Sequence, residues 1–245
     1  MTSLSKHIEN KMLAMHDEVQ AQHLSRFFKT GPGQYGEGDK FLGIKVPVTR
    51  AIVKEHWRGC TIDDLEPLIV SPWHEIRLCA LLLLVQVFKH ASKDETLRQR
   101  CVEFYLNHTE YINNWDLVDL SCYEILGRWL QDRDRTLLYT LARSEDLWEQ
   151  RIAIVSTMAM VRVGDHDDCI AIADILMHHK HDLIHKAVGW LLREVGKKDE
   201  TRLRHYLSTP LAGEDKPRCQ SMPRTMLRYA IERFPDLDRK RFMAK

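Results

Sequence analysis

The sequence predicts an all-α protein, a solenoid of stacked helix pairs. Three observations carry that expectation. Glycine and proline are scarce, 11 and 8 in 245 residues, which disfavours an architecture of strands and tight turns. Apolar residues recur at helical spacing rather than in strict alternation. From residue 61 onward the pattern also repeats itself, the mark of an array of similar helical units.

Taken in order, Leu4, Ile8, Met12, Leu13, Val19, Leu24, Phe27 and Phe28 give helical spacing across residues 4–29. Gly31 to Gly38 is a loop by composition, with Tyr35 at its centre. Phe41 to Val46 leads into a helix with Pro47 in its first turn, where the missing N–H is not needed. That helix runs through Val48, Ile52, Val53 and Trp57 and stops at Gly59. Pairs then follow. Thr61–Leu65 precedes Trp73–Phe88, Leu97–Leu106 precedes Trp115–Leu130, Arg135–Leu141 precedes Leu147–Val163, and Cys169–Met177 precedes Leu183–Val195.

The second helices align without gaps at Trp73-His74-Glu75-Ile76-Arg77, Asp146-Leu147-Trp148-Glu149-Gln150-Arg151 and Asp182-Leu183-Ile184-His185-Lys186, each with a cation just before an apolar run. Successive intervals from Arg77 to Val118, Arg151 and Lys186 are 41, 33 and 35 residues, near the period of HEAT and armadillo arrays. One domain spanning 1–245 is expected, with a concave face lined by the second helices. The last helix, Pro223–Phe234, buries Met226, Leu227, Ala230 and Ile231 and turns Arg224 and Arg228 to another face.

Composition narrows the function classes. The longest apolar run, Leu78–Phe88, is far short of the roughly 20 residues a bilayer needs. Met1–Asn10 is polar, so no secretion signal is expected. Six cysteines without paired spacing read as reduced core residues of a cytoplasmic protein. Net charge is +1 but uneven: Lys216–Lys245 holds nine Lys/Arg against three acids, which leaves the remainder at about −5. Such asymmetry points to a polyanionic partner, and a solvated basic terminal helix accounts for it equally well.

Asn113-Asn114-Trp115-Asp116-Leu117-Val118-Asp119 reads as a helix start, with an asparagine cap and an acid in the first turn. Trp115 and Asp119, four apart, then share a face. The bland alternative is a capped helix with a packing tryptophan and a solvated acid. If the repeats are equivalent, Asp119 falls one place after the register of Arg151 and Lys186, and Trp190 one turn beyond Lys186. One surface then holds an acid, two indoles and several cations, suited to stabilising positive charge on a ligand held by its phosphates. Arg151 and Lys186 equally fit pairing with Glu149 and Asp182 or capping the neighbouring repeat. His178, His179, His181 and His185 lack the glutamate of a zinc-protease motif and read as a polar loop and helix start, with no metal expected. The sequence has no phosphate-cradling glycine loop and no nucleophile elbow.

Four motifs together, Phe41-Leu42-Gly43-Ile44-x-x-Pro47, Asn114-Trp115-Asp116-x-Val118-Asp119, Trp148-x-x-Arg151 and His185-Lys186-Ala187-x-Gly189-Trp190-x-Leu192-Arg193-Glu194, resemble the AlkD family of DNA alkylation-repair glycosylases. The resemblance runs from about Phe41 to Ile231. It implies a solenoid of HEAT-like repeats with a concave DNA-binding cleft, releasing N3- and N7-alkylated purines such as 3-methyladenine and 7-methylguanine from duplex DNA. By the same resemblance Asp119 is the catalytic carboxylate, Trp115 and Trp190 cradle the damaged nucleotide, and Arg151 contacts a phosphate. Lys45, Lys186, Arg193, Arg224 and Arg228 are further expected DNA contacts. No cofactor, no membrane and no obligate protein partner are expected; the protein is read as a monomer acting on alkylated double-stranded DNA in a bacterial-type nucleoid. The chain departs from the family's pattern at the Gly31–Gly38 loop and at Phe27, where a hydroxylated aromatic is looked for. The alternatives are a non-catalytic paralogue that binds DNA structures and a helical-repeat scaffold for proteins.

Overall fold

Side-chain caps set many of the helix starts. Ser3, Asp17, Asp94, Asn114, Asp146, His181 and Asp199 each accept a hydrogen bond from a backbone N–H of the turn that follows. These bonds satisfy donors that a helix leaves without an internal partner. The computed structural model describes residues 3–244, and among them every named element is helical. The chain divides into two compact units, Met1–Ile125 and Leu126–Lys245.

The first unit holds α1 (Leu4–Leu13), α2 (Glu18–Phe27), α3 (Val46–His56), α4 (Glu66–Ile69), α5 (His74–His90), α6 (Glu95–Asn107) and α7 (Trp115–Asp119). Its centre is α5, where 14 of 17 residues are buried. A helix apolar on all sides has no face to give to water, and α3, α4, α6 and α7 pack around this one. The spacing predicts one helical stretch over 4–29, whereas the chain breaks at 14–17, where the Asp17 side chain caps a new helix on Gln20 N at 3.0 Å. The helix expected over 115–130 is also interrupted. α7 ends at Asp119, and Ser121 Oγ donates to the Leu117 carbonyl at 2.5 Å, a local bond that competes with the helical ladder. A π-helical turn, Tyr123–Gly127, follows.

The second unit holds α8 (Arg128–Leu130), α9 (Thr136–Ala142), α10 (Leu147–Ser156), α11 (Met158–Arg162), α12 (Asp167–Ile175), α13 (Asp182–Lys198), α14 (Glu200–Ser208), α15 (Arg218–Ser221), α16 (Arg224–Ala230) and α17 (Asp236–Met243). The break between α10 and α11 falls at Thr157, whose hydroxyl donates to the Ile154 carbonyl at 2.6 Å. Periodicity alone did not signal α14, α15 and α17. Here α10 packs on α9 and α13, and α13 on α14 and α16.

Ion pairs at the repeat interval tie successive helix pairs together within each unit. In the first unit Arg77 meets Asp39, 38 residues away, and Arg100 meets Asp63, 37 away. In the second, Arg135 meets Asp168 at 2.6 Å across 33 residues, Arg204 meets Asp238 at 2.6 Å across 34, and Arg218 grips Asp174 with two bonds across 44.

Gly189 sets a close helix crossing in the second unit. A Cβ there would lie 2.4 Å from the Met226 carbonyl oxygen and 2.6 Å from Tyr229 Cβ. Neither atom is the end of a flexible side chain, so α13 and α16 would have to separate. Gly189→Ala is therefore expected to lower stability by about 1–3 kcal/mol in thermal or denaturant unfolding. Gly59→Ala, with nothing within 4 Å of the added carbon, should stay within about 0.5 kcal/mol of wild type.

Candidate functional site

The Phe41–Pro47 motif takes its shape from a single carboxylate. Glu75, in the first turn of α5 and buried, accepts hydrogen bonds from the backbone N–H groups of Leu42 (2.9 Å), Gly43 (2.8 Å) and Ile44 (3.1 Å). Aiming three successive donors at one acid bends the chain sharply. Gly43 has φ +85°, and a Cβ there would stand 2.3 Å from the Asp17 carbonyl oxygen, so glycine is required on both counts. The bend delivers Lys45, Val46 and Pro47 to the rim of a cavity.

Beside Glu75 lies a buried polar network. His74 hydrogen-bonds Asp39 through Nδ1 (3.0 Å) and Asp116 through Nε2 (2.9 Å). Asp39 also accepts from Asn114 Nδ2 (3.2 Å) and pairs with Arg77. Arg77 uses its other donors on the carbonyls of Ser71 (2.9 Å) and Tyr111 (3.1 Å) and on Asn113 Oδ1 (3.1 Å). Burial pulls the His74 pKa down, but the charge and hydrogen bond of Asp116, followed by those of Asp39, outweigh it and push it up to about 9. Burial likewise raises Asp39, yet the His74 hydrogen bond and the Arg77 charge hold it below the usual carboxylate range. His74 is thus an imidazolium at neutral pH with a carboxylate on each side.

Aromatic rings rise from that cation. His74 stacks on Phe41 (4.5 Å between centroids, 26°), Phe41 on Phe28 (5.1 Å, 17°) and Phe28 on Trp115 (5.3 Å, 21°), while Phe27 meets Trp115 edge-on at 6.0 Å. A cation against the face of such a stack is attracted by it. The rings wall a cavity of about 450 Å³ that is also lined by Lys45, Asp119 and Leu120. α7, capped by Asn114 Oδ1 on Trp115 N (2.9 Å), places Trp115 and Asp119 on this cavity, both half-buried. Lys45 is exposed at its edge, and Phe27 is 63% exposed.

In the second unit α13 carries Lys186, Trp190 and Arg193, and its partner α16 carries Arg224 and Arg228. Trp190 is half-buried, and Arg224 and Arg228 are exposed. Lys186 pairs with Asp182 one turn away at 2.6 Å, Arg193 with Glu232, and Arg224 donates to the Met243 carbonyl at 2.6 Å. Arg151 is a buried residue of α10. It is 5% exposed and donates through Nη1 to the Leu183 carbonyl at 2.5 Å. Arg77 holds the Tyr111 carbonyl in the same way. The shared cation of the repeats is, at these two positions, a strut to the segment leading into a later helix. His181 caps α13 on Leu183 N (3.2 Å), and His179 accepts from His181 N (2.9 Å). Cys79, Cys101, Cys122 and Cys169 are buried, and all six cysteines are free thiols.

Sequence reasoning missed Asp39, His74, Glu75 and Asp116 as organisers of the site. His74 and Glu75 stand inside a quoted repeat motif and Asp116 inside the Trp115 motif. The only available signal was two adjacent ionisable groups at the head of an otherwise apolar helix.

An all-helical chain of repeat-like helix pairs is the fold class that the sequence led us to expect. The chain belongs to the DNA alkylation repair enzyme family, whose model matches residues 8–234. It is also similar to the solved structure of a predicted DNA alkylation repair enzyme from Enterococcus faecalis, with a TM-score of 0.67 over 91% of this chain and 98% of that one. At 17% identity, that likeness speaks for the fold. No curated protein matches the chain.

The His74 network gives stability a defined pH dependence. The folded state keeps its proton to about pH 9, and the unfolded chain releases it near 6.5. Between those values the unfolded state binds fewer protons, so the contribution is complete below pH 6.5 and disappears as pH rises through 9. It is on the order of 3 kcal/mol. Denaturant titrations at about pH 6 and about pH 9.5 should show this loss in wild type and a much smaller one in His74→Gln.

Proposed function

We propose that the protein is a DNA glycosylase that excises cationic N3- or N7-alkylated purines, of the 3-methyladenine and 7-methylguanine type, from duplex DNA. The family supplies DNA alkylation repair as the setting. The observation that carries the finer reading is the sharing of one aromatic-walled cavity by Trp115 and Asp119.

The chemistry asks little of the protein at the base. An N-alkylated purine already carries positive charge and is a good leaving group without a strong general acid. What remains is the oxocarbenium-like sugar, and a carboxylate beside its anomeric carbon stabilises that charge. We assign this role to Asp119, which also orients the attacking water. The indole of Trp115 attracts the cationic sugar by about 0.5–2 kcal/mol. Lys45 at the rim is assigned a phosphate.

In the second unit, Trp190, Lys186, Arg193, Arg224 and Arg228 are assigned to the DNA backbone. The pair Lys186–Asp182 is half-exposed, so exchanging its carboxylate for a phosphate requires little desolvation; in Arg193–Glu232 the acid is half-exposed and the arginine mostly covered. Arg151 enters this reading as the strut that fixes the start of α13, not as a direct contact.

Purified protein should release 7-methylguanine or 3-methyladenine from methylated duplex DNA, with no loss of rate when a chelator is added. Asp119→Asn should slow release roughly 100-fold or more while DNA affinity persists. Unchanged release by a folded Asp119→Asn protein would remove the assigned role. Tight DNA binding by wild type without any base release would favour the non-catalytic paralogue.

A further inference from the structure

We infer that a second cavity in the first unit seats the DNA backbone next to the lesion, with Arg50 and Lys54 as its phosphate-binding cations. The cavity holds about 320 Å³ and is lined by Arg50, Lys54, Trp57, Lys89, Leu120 and Tyr123, among others. The inference rests on the glycosylase reading and adds to it a substrate subsite of its own.

Three observations carry it. First, the cations are uncompensated. Arg77, Arg100, Arg135, Arg193, Arg202, Arg204 and Arg218 each meet a carboxylate. Arg50 and Lys54 meet none among the described residues, although both line a concave surface where their charges add. Lys89 is different, since Glu124 lies 3.0 Å from it. Two unanswered positive charges in a concavity call for an anion from outside.

Second, the position is continuous with the candidate active site. Leu120, the neighbour of Asp119, lines both cavities. Pro47 lines the first cavity, and Arg50, Lys54 and Trp57 line the second. At 100° per residue these four positions fall within about 80° of one another, on one face of α3 and its extension. From Pro47 to Lys54 the helix advances about 10 Å, the axial length of about three phosphates on one DNA strand. One helix therefore carries, outward from the acid-bearing cavity, two spare cations four residues and about 6 Å apart on the same face.

Third, the cavity has fixed aromatic walls beside its cations. Trp57 is held by His90 stacked at 3.8 Å and by Arg58 over its ring at 4.7 Å, which fixes the indole at the cavity wall. Tyr123 lines the cavity as well.

The test uses the full chain and a duplex with a central tetrahydrofuran residue, which has no base to release. Affinity is measured against salt for wild type, for Arg50→Ala/Lys54→Ala, and for Lys6→Ala/Arg100→Ala. The last removes the same formal charge from cations already paired with Glu9 and Asp63. The slope of log affinity against log salt should fall by about 1.8 in the Arg50/Lys54 variant, about 0.9 per phosphate contact, and stay near wild type in the control. Uncharged methylphosphonates placed singly within three positions of the tetrahydrofuran should weaken wild type but not the Arg50/Lys54 variant. An unchanged slope, an equal fall in the control, or a lost contact only at distant phosphates would overturn the inference while leaving the glycosylase reading standing. Wild type without DNA affinity would overturn both, and Asp119→Asn with undiminished base release would count against the catalytic reading alone.

Discussion

A buried imidazolium between two carboxylates is the constraint on which the candidate site depends. His74 joins Asp39, at the end of a loop, to Asp116, on the helix that carries Trp115 and Asp119. Removing either acid leaves a buried charge without its counter-ion, far more damaging than the loss of one surface pair. The same ring forms the base of the aromatic stack. Electrostatics and packing thus meet in one side chain, and the placement of Trp115 follows from both.

The protein uses its cations in two ways. Some are consumed internally. Arg77 and Arg151 donate to backbone carbonyls a repeat away, and Arg135, Arg204 and Arg218 bind aspartates across the repeat interval. Others stand at the surface, alone or in exposed pairs that water already screens. Only the second kind is available to a polyanion, and a count of Lys and Arg cannot separate the two. This is why a net charge of +1 is compatible with a DNA-repair family.

The helical class and the pairing of helices were legible because both rest on local periodicity. The Trp115–Asp119 register was legible too, since Asn114 caps the helix where its chemistry says it should. Helix interruptions were not. Ser121 and Thr157 divert carbonyls through their own hydroxyls, and nothing in an apolar pattern distinguishes that from a solvated Ser or Thr. Nor was the burial of Arg151, because a cation ahead of an apolar run fits a strut and a ligand contact equally. The His74 network was illegible for another reason. Its partners lie 35 and 42 residues away, and no single-sequence rule pairs a loop aspartate with a helix histidine at that range.

The ring stack also bears on how the first unit comes into being. Phe28 and Trp115 touch face to face although nearly the whole unit lies between them in the chain. A chain emerging from the ribosome therefore displays Phe27 and Phe28 long before their indole neighbour exists, and contacts of this separation form late. Until then those rings are greasy and uncovered, a target for chaperones. The rings that shape the cavity in the finished protein are thus left uncovered while it is being made.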